Sequence, residues 1–193
     1  MVCSFIQRLA LASISLAVTG CRSQGPRSIG GSKTGLHYLL SIALNRKGQV
    51  SVQESNGRNS GRSNTILTFA ENANGNVAPL SRLEGYKTQL SNSGFEGPIG
   101  IKYDSHERLV VCSNKHEPRL LTFAPGAHGN VAPISTLFVP GCTGITLDRG
   151  DNIYVAFNDS ILVYAAGSVG SAKPIRIISG NLTTLSSATS VAF

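Results

Sequence analysis

The residues that could do chemistry in this chain of 193 residues are few and scattered. Acids recur at one kind of turn, Asp104 in IKYDSHERLVV and Asp148 in ITLDRGDNIYV, and Asn45 holds the same place in IALNRKGQVSV. Side chains of this type bond to their own backbone in Asx turns. An acid that recurs in the same turn of each repeat is first of all a structural turn residue, so no catalytic residue is assigned.

The histidines also suggest surface positions. His106 falls in one of these turns, and His128 replaces Asn74 in a glycine-centred turn, so both are expected in exposed loops. Neither His37 nor His116 matches a functional role. A structural zinc site takes about four Cys or His ligands in paired short spacings. The sequence shows no such pattern and predicts neither a metal site nor a cofactor.

Two of the four cysteines, Cys3 and Cys21, lie near the start of the sequence. Cys112 lies in the apolar stretch RLVVCSN, where a buried and inert thiol is expected. A bridge from Cys112 to Cys142 is the alternative for an oxidising compartment. Sequence alone leaves the choice open, because a disulfide requires Cα atoms within about 7 Å.

The first twenty-one residues, MVCSFIQRLALASISLAVTGC, have one positive charge and then an apolar run at 9–18. This run is too short for a permanent span, which needs about 20 residues, but suits a signal peptide. Residues 1–20 are therefore predicted to be a signal peptide helix. Residues 18–21, VTGC, resemble the bacterial lipobox, which predicts a diacylated Cys21. Plain secretion and a buried N-terminal helix are the alternatives.

Residues 21–35 are rich in Gly and Ser and are predicted to be a flexible tether.

The composition of the chain excludes several classes of protein. Basic residues give a formal charge of +7 but are dispersed, whereas nucleic-acid binders concentrate them in a stripe. Apolar runs are short and no long amphipathic helix is indicated after the first twenty residues. The prediction is an all-β protein that does not bind nucleic acid.

One sequence segment of twelve residues occurs twice in closely similar form. TFAENANGNVAP, from Thr68, returns as TFAPGAHGNVAP from Thr122 with nine of twelve positions identical, and VYAAGSVGSAKP from Val163 is a weaker third copy. Each copy predicts a strand that ends in an aromatic residue, then a turn around a glycine, then a proline that opens a short strand. The shared landmarks are Gly75, Gly129 and Gly170, and Pro79, Pro133 and Pro174.

A hairpin precedes each copy, so each repeat predicts four strands. The landmarks recur every 41–59 residues, which is typical of the blades of a β-propeller. The stretch 144–180, GITLDRGDNIYVAFNDSILVYAAGSVGSAKPIRIISG, resembles bacterial extracytoplasmic NHL-type propeller repeats. This resemblance implies blades at roughly 36–97, 98–140 and 141–186, with the first strand of a fourth at 187–193.

The NHL resemblance also bears on function. Such propellers often act as interaction platforms, and some are lactonases or lyases with a divalent metal at one channel mouth. Propellers usually have 4–8 blades. Three blades therefore leave three alternatives: a truncated form of a longer propeller, two copies that together form about six blades, or a stack of sheets that is not a propeller.

The expected function is a lipid-anchored, extracytoplasmic binding module without catalysis, for an unknown protein or carbohydrate. A metal-dependent, lactonase-like hydrolase and a non-functional truncated fragment are the alternatives. The long basic loop with Arg58 and Arg62 is a candidate contact surface, although a solvated loop is the plainer expectation.

Overall fold

The computed structural model describes residues 6–10, 13–17, 26–55, 64–90, 100–113 and 117–192, the first two stretches by their backbone alone. These residues form strands, turns and two short 3-10 segments, with no α-helix among them. No helix in the described part is long and apolar enough to cross a membrane. The expectation of an all-β protein is confirmed.

Three four-stranded antiparallel sheets make up most of the structure, and we call them units 1, 2 and 3. Each follows chain order, so every strand pairs with its sequence neighbour. The sheets do not close into a ring. Unit 1 contains β4 (Tyr38–Leu44), β5 (Val50–Ser55), β6 (Asn64–Phe69) and β7 (Ser81–Leu83); unit 2 contains β8 (Gly100–Tyr103), β9 (Leu109–Ser113), β10 (Arg119–Phe123) and β11 (Ser135–Phe138); unit 3 contains β12 (Gly144–Leu147), β13 (Ile153–Phe157), β14 (Ser160–Tyr164) and β15 (Arg176–Ile178).

A further sheet of three strands precedes unit 1. Its strands are β1 (Ile6–Ala10), β2 (Ser13–Ala17) and β3 (Arg27–Gly30), paired in that order. The signal peptide helix expected for residues 1–20 is therefore not found, because the described residues of that segment pair as strands. β2 has an antiparallel neighbour on each side, which satisfies its backbone without a helix.

The repeated segment forms the same structure in all three units. Phe69, Phe123 and Tyr164 each end the third strand, and all three are buried. The central glycines have positive φ values of 60–72°, a conformation that costs little only for glycine. The sequence interpretation of the repeat as strand, glycine turn and strand is confirmed.

Neighbouring units bury their apolar faces against one another. Between units 1 and 2, for example, Leu83 and Leu90 pack in one cluster with Ile101 and Phe123. The backbone also links the units at this interface, because Gly129 N–H donates to the Arg82 carbonyl at 2.6 Å. Each sheet thus shields the next, which is how repeat units too small to fold alone become stable.

A second kind of turn follows the last strand of the first sheet and of unit 1. In Gly85–Leu90, the Thr88 hydroxyl donates to the Gly85 carbonyl at 2.6 Å and accepts from Leu90 N–H. Thr34 makes the same two bonds in Gly31–Leu36. Residues 26–35, which the sequence assigned to a flexible tether, therefore form a strand and a turn of the repeat. The residues that decide this, a glycine, a threonine and a leucine at fixed spacing, are present in the sequence.

The connection between units 2 and 3 differs. It holds Cys142, which forms a disulfide with Cys112 of β9 across a Cα–Cα distance of 6.2 Å. Both cysteines are buried in the cluster between the two units. The expectation of an inert thiol at Cys112 is therefore wrong, because the chain after β11 brings Cys142 back to the end of β9.

Candidate functional site

The hairpin turns between the first two strands of each unit lie together at one end of the structure. In the turn of unit 2, the Asp104 carboxylate accepts hydrogen bonds from the backbone N–H groups of His106 and Arg108, both at 2.9 Å. The Arg108 side chain adds a third bond at 2.6 Å. Asp104 is buried, and its carboxylate is occupied by these donors.

The same bonds recur in the other two turns. Asn45 accepts from the backbone of Lys47 and Gln49, and Asp148 accepts from the backbone of Gly150 and Asn152. The Asn152 side chain is the main cause of a lowered pKa at Asp148. The structural role expected for these residues is confirmed, because each one folds its own turn.

Adjacent turns are also bonded to each other. Arg46 N–H in unit 1 donates to the Glu107 carboxylate of unit 2 at 3.0 Å. Ser105 N–H in unit 2 donates to the Asp151 carboxylate of unit 3 at 2.8 Å, and the Ser105 hydroxyl donates to the same side chain. Glu107 and Asp151 have φ values of 62° and 60°, where Gly48 stands in unit 1. The acids therefore tie each turn to the next.

One group near these turns could contact a metal ion. Ligand atoms of Asp104, His106 and Asp151 all lie within 4.8 Å of one another. Burial raises the pKa of Asp151, but hydrogen bonds from Ser105 and the nearby positive charges outweigh it and leave the pKa lowered. Both carboxylates already accept hydrogen bonds, and Arg108 supplies a positive charge. The group does not fit a divalent cation unless these bonds are released.

The other candidate residues from the sequence lie apart from this group. His106 and His128 are exposed as expected, and the His128 ring lies 3.0 Å from the Gly126 carbonyl. His37 is part of a different cluster. His116, Arg58, Arg62 and Cys21 lie outside the described residues.

A groove of about 530 Å³ runs along the interface between units 1 and 2. Apolar residues, among them Ile66 and Leu109, line its wall. Polar residues stand at the end near the hairpin turns, including Lys47, Gln49 and His106. A second groove of about 390 Å³ lies between the three turns themselves.

A polar network distinguishes the larger groove from the rest of the repeat. Tyr103, which lines it, is 2.8 Å from the Ser51 hydroxyl, and Ser51 is 2.8 Å from the Thr68 hydroxyl. Burial raises the pKa of Tyr103, so it stays protonated at neutral pH. Leu147 and Val110 hold the places of Tyr103 and Ser51 at the next interface. Comparing the repeats in the sequence would have revealed this difference.

A second polar cluster lies on the opposite face of unit 1. Glu54 in β5 is 1% exposed, and burial raises the pKa of its carboxyl. The His37 ring nitrogen lies 3.4 Å from the Glu54 carboxylate and 3.0 Å from the Gly35 carbonyl. The charge of His37 opposes the effect of burial, and Arg82 opposes it more weakly.

Comparisons with known proteins add little to this description. No protein-family model matches the chain, and no curated protein matches it. The chain is similar to a solved protein of unknown function from Bacteroides caccae, at 9% identity and a TM-score of 0.46. The match covers 87% of this chain and 54% of that one, so the chain spans about half the length of the solved structure.

Proposed function

We propose that this chain is a lipid-anchored, extracytoplasmic binding module of the NHL-type β-propeller kind, with no catalytic activity. Three units with the same strand order and the same inter-unit bonds support the propeller assignment. The resemblance of residues 144–180 to NHL repeats supports it as well. The lipobox-like residues 18–21 support anchoring through lipid on Cys21.

The groove between units 1 and 2 is the proposed binding site. The observation that carries this proposal is the network of Tyr103, Ser51 and Thr68. At the next interface two of these three positions are apolar, so packing alone does not require polar residues there. Binding sites combine an apolar wall with a few polar groups that orient a ligand. Tyr103 and Thr68 supply such groups beside Ile66 and Leu109.

The ligand class that fits is a protein segment or a carbohydrate, because hydroxyl and amide groups such as those of Thr68, Tyr103 and Gln49 line the groove beside charged residues. The absence of catalysis is proposed because the turn carboxylates are already bonded. Asp104 is bonded to Arg108, and Asp151 to Ser105. A general base needs an oxygen that can reach the substrate proton.

A matched pair of substitutions tests the groove. Glycans and extracellular peptides are screened against the purified chain by thermal shift, and affinity for any hit is then measured with variants. Thr68→Val and Tyr103→Phe should each weaken binding about tenfold, the usual value of one lost hydrogen bond. Thr122→Val changes the matching position of unit 2 and should leave affinity unchanged. Equal losses in Thr68→Val and Thr122→Val would exclude this groove as the site.

The lipid anchor has a separate test. Expression in a bacterial host with an alkyne-labelled fatty acid should label the wild-type chain, and Cys21→Ser should abolish the label. Cys3→Ser is the control and should keep it. A label that survives in Cys21→Ser would show that this residue is not the lipid acceptor.

A metal-dependent hydrolase is the second candidate. The proximity of Asp104, His106 and Asp151 favours it. Calorimetric titration with Ca²⁺, Mn²⁺ and Zn²⁺ tests it directly. Stoichiometric binding that disappears in Asp151→Asn but not in Asp159→Asn would support this candidate, whereas the proposed binding module predicts no stoichiometric binding of these ions.

A further inference from the structure

The face of unit 3 that points away from unit 2 repeats half of an interface that is complete elsewhere in the chain. At two of the interfaces between consecutive sheets, those on either side of unit 1, a glycine of one sheet meets an asparagine of the next unit. A Cβ added to Gly31 would lie 2.7 Å from the Asn76 side chain, and one added to Gly85 would lie 2.6 Å from that of Asn130. These glycines leave the space that the asparagine fills.

Gly180 holds the matching place in unit 3. Its φ of 102° agrees with those of Gly31 and Gly85, at 113° and 110°. Thr183 bonds to Gly180 and Leu185 as Thr88 does in the complete turn. Yet no atom of the described residues lies within 4 Å of a Cβ added to Gly180. The space for an asparagine is therefore formed and open.

The apolar residues of this face are also only half covered. Leu83 and Leu90 are 2% and 0% exposed where unit 2 packs on unit 1. Their counterparts, Ile178 and Leu185, remain partly exposed. Leu182, two residues after Gly180, is fully exposed. Large apolar side chains left exposed together commonly mark an interaction surface.

The chain beyond Leu185 continues the same pattern. A Cβ added to Gly144 of unit 3 would lie 3.0 Å from the backbone of Thr189 and Ser190, just as one added to Gly100 of unit 2 would lie 3.2 Å from the backbone of Ile145. Residues 189–190 therefore stand where the first strand of a following unit would begin. Aligned with residues 29–43, residues 178–192 match at Ile178, Gly180, Thr183, Leu185, Ser190 and Ala192.

We infer that a second copy of this chain docks on unit 3, and that residues 178–192 of one copy replace residues 29–43 of the other. Gly180 then receives Asn76 of the second copy, as Gly31 does within one copy. Residues 189–192 pair with β5 of the second copy in place of the end of β4. Continuity with the two interfaces on either side of unit 1 is the argument for this occupant.

Residues 178–192 can remake the turn bonds of residues 29–43, since the glycine, threonine and leucine of the turn are the same. The exchange gives up the pairing of Ile29 and Gly30 with β2 and the contact of His37 with Glu54. Such exchange of equivalent elements is a low-cost route to a dimer. When each copy docks on the other in this head-to-tail way, the two interfaces close the assembly. It then contains six four-stranded units, within the 4–8 units of known propellers.

The solution mass of the 193-residue chain tests the inference. Light scattering of the unprocessed chain, purified without lipid on Cys21, should give twice 20.2 kDa for the wild type. Ile178→Lys places a charge in the docked interface and should weaken association at least tenfold. Ile177→Lys is the matched control on the opposite face of β15, where Ile177 is 56% exposed, and should remain a dimer. A monomeric wild type, a larger assembly, or equal behaviour of the two variants would overturn the inference.

A cross-linking experiment tests which segment occupies the docking surface, even if Ile178→Lys does not fold. Position 182 corresponds to Lys87, whose N–H bonds to Asn130 where unit 2 packs on unit 1, and Asn76 corresponds to Asn130. A photoreactive amino acid at position 182 should therefore react with residues 73–77 of an isotope-labelled second copy. Reaction only within one copy, or at another segment, would overturn the assignment of the docking surface.

Discussion

The carboxylate of Asp151 in unit 3 accepts a hydrogen bond of 2.8 Å from the backbone N–H of Ser105 in unit 2. Asp151 adopts a φ of 60°, which L-residues other than Asn and Asp rarely adopt. Glu107 of unit 2 also adopts a positive φ, of 62°, and its carboxylate accepts from the backbone N–H of Arg46 in unit 1. The backbone conformation and the bond therefore belong together, since the turn directs each carboxylate at the preceding unit.

The link from Asp151 to Ser105 should be measurable as stability. Asp151→Ala loses both bonds from Ser105 and puts alanine at positive φ, so it should cost about 2 kcal/mol of unfolding free energy. Asp151→Asn keeps an acceptor and tolerates the same φ, and should cost less than about 0.5 kcal/mol. Urea unfolding measures both. Equal losses in the two variants would contradict a role for the bond.

Two of the carboxyl groups with a shifted pKa, Asp151 and Glu54, should affect acid stability in opposite directions. The folded-state pKa of Asp151 is lowered, so its stabilisation is present above the unfolded pKa of about 3.9 and is lost as pH falls through the folded value. The folded-state pKa of Glu54 is raised by burial. Its charge therefore lowers stability as pH rises from the unfolded pKa through the raised value.

Glu54→Gln isolates the second effect. It should be more stable than the wild type near pH 7 by about 1 kcal/mol, the scale of one poorly paired buried polar group. Near pH 4 the difference should shrink, because Glu54 is then neutral in the wild type. Urea unfolding between about pH 4 and 7 measures this. His37→Ala in the same series separates the contribution of the neighbouring ring, and a constant difference across the range would refute the assignment.

Much of the fold was predictable because its signals are local. Gly75 and Gly129 mark turns that only glycine forms easily, and Asp104 marks a hairpin turn by its own backbone bonds. Such features depend on a few neighbouring residues, so the sequence predicted the strands and the four-stranded repeat. The turn at Gly31 to Leu36 carries the same kind of signal, although its serine and glycine content suggested a tether.

The site was not predictable by the same means. The groove depends on Tyr103 meeting Ser51, which is 52 residues earlier in the chain. The bond from Ser105 to Asp151 spans 46 residues. Such contacts form only when two sheets pack, and the spacing of residues in one repeat does not reveal which side chains face each other across the interface. The disulfide of Cys112 and Cys142 was uncertain for the same reason.

Loss of the disulfide should weaken the interface between units 2 and 3. The loop it closes is 30 residues long, for which chain entropy predicts about 3–4 kcal/mol of stabilisation. Cys112→Ala, Cys142→Ala and the double variant should all show about the same loss in urea unfolding, since either single change breaks the bond. Under reducing conditions the wild type should match the three variants. If reductant leaves wild-type stability unchanged, the bond does not form in solution.

Two glycines at positive φ should respond differently to substitution. Gly85 has a φ of 110°, and an added Cβ would lie 2.6 Å from the Asn130 side chain. Gly126 has a φ of 70°, with no described atom within 4 Å of an added Cβ. Gly126→Ala should therefore cost only the conformational penalty of about 1–2 kcal/mol. Gly85→Ala must also displace Asn130, whose side chain accepts from Lys87 N–H at 2.8 Å.

The clash in Gly85→Ala should add about 1–2 kcal/mol, since a hydrogen bond and close packing at the interface are disturbed together. The backbone of Gly85, with ψ at 168°, lies in a region that alanine rarely adopts and adds a further conformational cost. Asn130→Ala measures this part separately, because it removes the side chain that meets Gly85. In the double variant, Gly85→Ala with Asn130→Ala, the clash is absent, so its loss should be smaller than the sum of the two single losses. Strict additivity in urea unfolding would mean that Gly85 and Asn130 do not meet, and the interface between units 1 and 2 would need a different description.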